Sequence, residues 1–119
     1  MIAPTYRYRA VLVRVIDGDT FEVDIDLGLF TWVRRQSIRL ANVWAPELDA
    51  ATGLAFRDQV AAHLPVGTPL VIETHKNRRQ DDVRSFTRWV GEVWVASTHV
   101  HVNPWIQDCV SALLPPPPT

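Results

Sequence analysis

Five carboxylates crowd residues 14–28, "RVIDGDTFEVDIDLG": Asp17, Asp19, Glu22, Asp24 and Asp26. A sixth, Glu47 of "WAPE", follows a run that carries Arg34, Arg35 and Arg39. Acids paired this closely suit a hard cation, which takes oxygen ligands. Arginines suit phosphate, because the planar guanidinium offers a fork of donors and stays charged at any working pH. Together these residue types fit chemistry on a phosphodiester. Such a reaction needs an activated water, a counter-charge for the crowded phosphorus and help for the leaving oxygen. Asp17-Gly18-Asp19-Thr20 by itself reads first as a tight hairpin turn, and isolated strand arginines usually cover apolar surface or pair with nearby acids.

The elements that must position these residues follow from hydrophobic period. "YRYRAVLVRVI" (6–16) is β-branched and aromatic, and "TFEVDID" (20–26) alternates, with Phe21, Val23 and Ile25 on one face and acids on the other. Asp17-Gly18 predicts a hairpin between them. A second turn in "LGLF" and a strand "TWVRRQSIRL" (31–40) complete a meander. Within it, Glu22, Asp24 and Asp26 read as a solvated edge. Pro46 breaks the pattern. Thr52 is placed to cap a helix over 53–64, where Phe56, Val60 and Leu64 recur four residues apart, and Pro65 and Gly67 end it. Strands at 69–76 and 86–95 flank the polar "NRRQDDVRS", and a helix over 104–114 starts at Pro104. The order β-β-β-α-β-β-α predicts a mainly β fold with helices (α+β): a five-stranded antiparallel set closed as an OB-fold barrel.

Composition sets bounds. With 119 residues, 47% of them apolar, the chain fits one domain with a true core, expected over 1–114, followed by a proline-rich tail at 115–119. A net charge of −1 gives no general attraction to nucleic acid, so any such binding must rest on local patches. Arg7, Arg9, Arg34 and Arg35, with the segment 76–84, are candidates for a positive face. The single cysteine, Cys109, excludes an intrachain disulfide and a thiolate metal cluster. No signal peptide and no apolar run of membrane-spanning length is visible, so the expectation is a cytoplasmic protein with no membrane partner. His99 and His101 are read as sharing a strand face, without a third ligand.

Four ordered pieces, "VIDGDTFEV", "IRLANVWAPE", "DDVRSFTRWVGEVWV" and "HVNPWI", resemble the staphylococcal nuclease-like (thermonuclease) family over about residues 8–112. The resemblance implies an OB-fold, calcium-dependent phosphodiesterase cutting single-stranded DNA or RNA. It implies that Asp19 is a calcium ligand, with the Ala45 carbonyl beside it. It further implies that Arg39 contacts the scissile phosphate, that Glu47 activates water, that Arg88 stabilises the transition state and that Phe86 lines the nucleotide pocket. The family's second calcium acid sits three residues before the glutamate. Here that position holds Trp44, whose indole has only a donor to offer. Asn42, Asp17 and Asp49 are the nearby oxygens able to substitute, Asn42 on the expectation that it shares a strand face with Trp44. The alternative is a catalytically weak or inactive module that binds nucleic acid or nucleotides, with Trp44 stacked on a base. Lys76, Arg78 and Arg79 then either track the backbone of a single strand or form a solvated loop. Trp89, Trp94 and Trp105 read as core or dimer-surface residues.

Overall fold

The computed structural model describes residues 6–44, 51–74 and 88–113. Five strands close into a barrel: β1 (Arg7–Asp17), β2 (Thr20–Gly28), β3 (Thr31–Leu40), β4 (Pro69–Thr74) and β5 (Arg88–Val95), in the spatial order β1-β2-β3-β5-β4. Helix α1 (Ala51–His63) lies between β3 and β4 in the chain, and α2 (Val102–Leu113) follows β5. This is the expected OB-type α+β barrel in the expected element order.

Alternation builds the core. Ala10 and Leu12, Phe21, Val23 and Ile25, Ile38 and Leu40, Leu70 and Ile72, and Val93 are buried in the barrel. The expected helix stripe Phe56, Val60 and Leu64 is also buried, and Val102, Ile106 and Val110 do the same for α2 at three- and four-residue spacing. Each such side chain gains roughly 1.5–3 kcal/mol on leaving water, which makes this shared interior the main source of stability. Trp89 and Trp105 pack against it, Trp105 edge-on to His63 with ring centroids 5.6 Å apart. Trp94 instead stacks on His101 at 4.7 Å, with the Arg7 guanidinium 5.4 Å from its ring.

Several local expectations shift. Helix α1 starts at Ala51, so Thr52 lies inside its first turn rather than at the cap, and α2 starts at Val102 with Pro104 still in the first turn. The set is not wholly antiparallel: β3 and β5 run parallel, Ser37 opposite Arg88 through Leu40 opposite Gly91. Closure forces this, because the helical crossover and β4 bring β5 back beside β3 from the other edge. Asp17 pairs with Thr20, so Gly18 and Asp19 form the turn itself. His99 occupies a turn with φ 62°, and only His101 makes a bridge, to Trp94, so the two histidines share no strand face.

The β2–β3 hairpin departs most from a plain solvated edge. Asp24 faces two residues of β3, Arg34 and Arg35, at a bulge where Arg35 has φ 54°. Its carboxylate clamps that bulge, accepting the Arg35 backbone N–H at 2.9 Å and the Arg34 Nη1 at 3.1 Å. The backbone bond is the main reason the Asp24 carboxyl titrates below its ordinary range. Glu22 is 8% exposed and accepts from Arg14 at 3.4 Å and Arg35 at 3.5 Å. Asp26 accepts the Gly28 N–H at 2.8 Å. Arg7 is likewise paired, with Glu73 at 2.7 Å, so Arg7, Arg34 and Arg35 of the expected positive face each stand beside an acid. At the tip, Leu29 and Phe30 occupy the centre of the turn with φ 55° and 60°, each costing about 1 kcal/mol or more in a conformation that suits Asn-Gly.

Candidate functional site at the barrel rim

Asp19 and Arg39 are brought together by backbone, not by their side chains alone. Arg39 lies opposite Thr20 in the β2–β3 ladder, and the Leu40 N–H donates to the Asp19 carbonyl at 2.8 Å. The β1–β2 turn and the end of β3 therefore form one rim of the barrel. Across it Arg39 Nη1 stands 3.7 Å from Asp19 Oδ2, with side chains 21% and 15% exposed. Nη1 also donates to the carbonyls of Leu40 and Val43, both at 2.8 Å. Those bonds fix the guanidinium against the turn that follows β3. Among the described residues, the Arg39 Nε and Nη2 donors have no hydrogen-bond partner, so one edge of the fork is available to an anion.

The two aspartates are coupled. The Asp17 carboxylate accepts the Asp19 N–H at 3.0 Å, an Asx-type contact across the turn, and Thr20 Oγ1 donates to Asp19 Oδ1 at 3.1 Å. Burial, then the neighbouring Asp19, push the Asp17 carboxyl up to about 6. A carboxylate that is hard to ionise beside another carboxylate gains from a nearby cation, which would relieve both the burial and the repulsion. Asp17 and Asp19 are the described carboxylates that could share a hard cation at this turn, since such ions take oxygen ligands. Among the described residues, no three His, Cys, Asp or Glu side chains converge on one point.

The remaining expected residues fall as follows. Trp44 is 65% exposed, and its backbone N–H donates to Gln107 Oε1 at 3.2 Å, which holds the chain after β3 against α2. The β3 strand ends at Leu40, so Asn42, in a turn with φ 61°, shares no strand face with Trp44. Register sets Arg88 opposite Ser37, two residues before Arg39 on the parallel neighbour. Ala45, Glu47, Asp49, Lys76, Arg78, Arg79 and Phe86, together with the 115–119 tail, lie outside the described residues.

Asn103 is the residue whose role sequence reasoning did not assign. It is 3% exposed, accepts the Val93 N–H at 2.9 Å and donates to the carbonyls of Ala41 at 3.0 Å and Gly91 at 3.1 Å. It joins α2, β5 and the end of β3, immediately beside the turn that grips Arg39. A buried amide with three backbone partners is fully employed as structure. The signal lay in "HVNPWI", where Asn directly precedes a Pro in the first turn of α2. Next to it, Asn42, Glu92, His101, Asn103, Gln107 and Asp108 line a polar hollow of about 320 Å³, in which His101 Nε2 lies 3.1 Å from Glu92 Oε1.

Among the described residues, no helix is long and apolar enough to cross a membrane. Searched against protein-family models and against curated proteins, the chain finds no match.

Proposed function

We propose that the chain is a metal-dependent phosphodiesterase of the staphylococcal nuclease-like kind, acting on single-stranded DNA or RNA. The observation that carries this reading is the rim pair: Asp19 3.7 Å from an Arg39 whose guanidinium, among the described residues, spends only Nη1 on hydrogen bonds. Arg39 binds a non-bridging phosphate oxygen and holds it against the barrel rim. Arg88, two register positions from Arg39, supplies the second positive charge to the phosphorus centre and leaving oxygen. Glu47 orients and deprotonates the attacking water, a role that suits a carboxylate ionised at neutral pH. Calcium, when bound by Asp17 and Asp19, supplies counter-charge and acidifies water.

A competing reading has one observation in its favour: the exposed Trp44 indole at the position of the family's second acid. In that reading the rim grips nucleic acid or nucleotides by stacking and charge, without turnover.

Incubation of single-stranded DNA and RNA with the purified protein and calcium separates the two. The enzyme reading expects cleavage that Glu47→Gln or Arg39→Ala lowers about 100-fold or more, with the fold intact by circular dichroism. No cleavage with calcium, magnesium or manganese overturns it. Oligonucleotide binding that quenches tryptophan fluorescence and weakens with salt then supports the binding module.

A further inference from the structure

We propose that the β2–β3 hairpin tip is a lipid-contact element that seats the protein on a membrane surface by shallow insertion. Leu29 is 95% exposed and Phe30 104%, with Leu27 at 45% and Trp32 at 39% behind them. Neither tip residue packs against the chain, yet both hold the left-handed backbone that large apolar residues adopt at a cost. An Asn-Gly pair would make the same turn without strain and without an apolar surface. The benefit of Leu-Phe therefore lies outside the chain. The tip projects from the end of β2 opposite the Asp19–Arg39 rim, about 27 Å away along the nine-residue strand, so it is not a wall of that site.

Three observations favour lipid as the occupant. The first is area: the four side chains offer on the order of 500 Å² on a convex knob, short of the ~800 Å² per partner of a standard protein interface. The second is polar satisfaction. Asp26 accepts the Gly28 N–H at 2.8 Å and Thr31 Oγ1 donates to the Leu29 carbonyl at 3.4 Å, so two backbone groups at the tip are met from within the hairpin, which lowers the cost of entering an apolar medium. The third is the gradient from tip to base. Behind the apolar tip comes Trp32, with the Arg34 guanidinium 4.9 Å from its ring, and then the paired charges Arg34–Asp24 and Arg35–Glu22. Aromatic rings followed by arginines suit the headgroup layer, and an insertion of 5–10 Å covers the two or three residues in front of them. This inference departs from the sequence expectation of no membrane partner, which rested on the absence of a spanning segment.

Because the arginines at the neck are already paired with acids, binding should depend little on anionic lipid or salt. The test is flotation of the full chain with phosphatidylcholine vesicles, with and without phosphatidylglycerol, at low and high salt. The wild type is expected to float under all four conditions. The double variant Leu29→Asn, Phe30→Gly is expected to float at least about ten-fold less, while melting no lower than wild type because the turn is relieved. In brominated phosphatidylcholine the wild-type fluorescence should be quenched, and Trp32→Phe should remove most of that quenching. Failure of the wild type to float, or equal flotation of the double variant, overturns the proposal. Binding confined to anionic vesicles and lost in salt also overturns it, assigning adsorption to basic residues elsewhere. Self-association abolished by the double variant, without flotation of the wild type, overturns it in favour of a second copy of the chain.

Discussion

The side-chain amide of Asn103 donates to the Gly91 carbonyl at 3.1 Å, and through it helix α2 is tied to the strand that closes the barrel. Gly91 has a matching constraint on its other side. A Cβ there would run into the Glu73 carbonyl oxygen on β4, so this strand crossing admits only glycine. The same carbonyl of Gly91 also accepts the Ala41 N–H at 2.9 Å, which joins β5 to the chain leaving β3. The rim that holds Asp19 and Arg39 thus hangs on one amide and one missing side chain.

Asn103→Ala removes three hydrogen bonds and leaves the Val93 N–H and the Ala41 carbonyl without this partner, while the Gly91 carbonyl keeps the Ala41 N–H. A loss of about 3 kcal/mol is expected, read from the denaturation midpoint in urea. Because Ala41 is then held only through its N–H to Gly91, the Arg39 end of β3 should show faster amide exchange than the β1–β4 ladder. A change within about 0.5 kcal/mol would contradict the keystone role of the amide.

The Asp24 clamp makes a different prediction. Asp24→Ala leaves the Arg35 N–H and the Arg34 guanidinium without an acceptor while leaving the core untouched. The hairpin beyond the bulge should lose exchange protection, with a global cost of only about 1 kcal/mol. Since the Asp24 carboxyl is held below its ordinary value, its contribution is present above pH 4 and fades as pH falls through the lowered value. Wild type and Asp24→Ala should therefore converge in stability at strongly acid pH.

Asp17 has the opposite sign. Its carboxyl is raised from 3.8 to about 6, so the folded protein holds that proton more tightly than the unfolded chain. The associated stability is fully present below about pH 4 and is lost as pH rises through 6. Asp17→Asn, which keeps an oxygen to accept the Asp19 N–H, should be more stable than wild type at pH 7–8 and equal to it near pH 3.5. If calcium binds at this pair, millimolar calcium should lower the Asp17 midpoint in an NMR titration. An unchanged midpoint would place the ion elsewhere.

Trp44 provides the sharpest test of the metal reading. Its indole is exposed and, among the described residues, only its backbone is used internally, so Trp44→Asp should fold as wild type does. Calorimetric titration with calcium should show affinity rising by ten-fold or more as a further acid joins Asp17 and Asp19. No gain would mean that Trp44 does not face the Asp17–Asp19 pair.

The barrel was readable in advance because its signals are local and periodic. Phe21, Val23 and Ile25 alternate, Phe56, Val60 and Leu64 fall on one helical stripe, and each pattern has only one face to bury. The segments that depart from expectation are those where a partner distant in sequence decides. Nothing near Asp24 announces that it will clamp Arg35, because a bulge is a property of two strands in register and not of either alone. The parallel pairing of β3 with β5 is likewise a consequence of closure.

At the rim, residue types alone offered several acids and arginines, and only the resemblance of the four ordered pieces to the staphylococcal nuclease-like family singled out Asp19 and Arg39. Their 3.7 Å approach, the grip of two carbonyls on Arg39 and the raised proton affinity of Asp17 were decided by the fold. The physical reason is that distance and desolvation are set by the register of β2 on β3 and by Asn103 holding α2 to both neighbouring strand ends. Period and composition specify which surfaces must be buried, and only the closed barrel specifies which polar groups are then left facing one another.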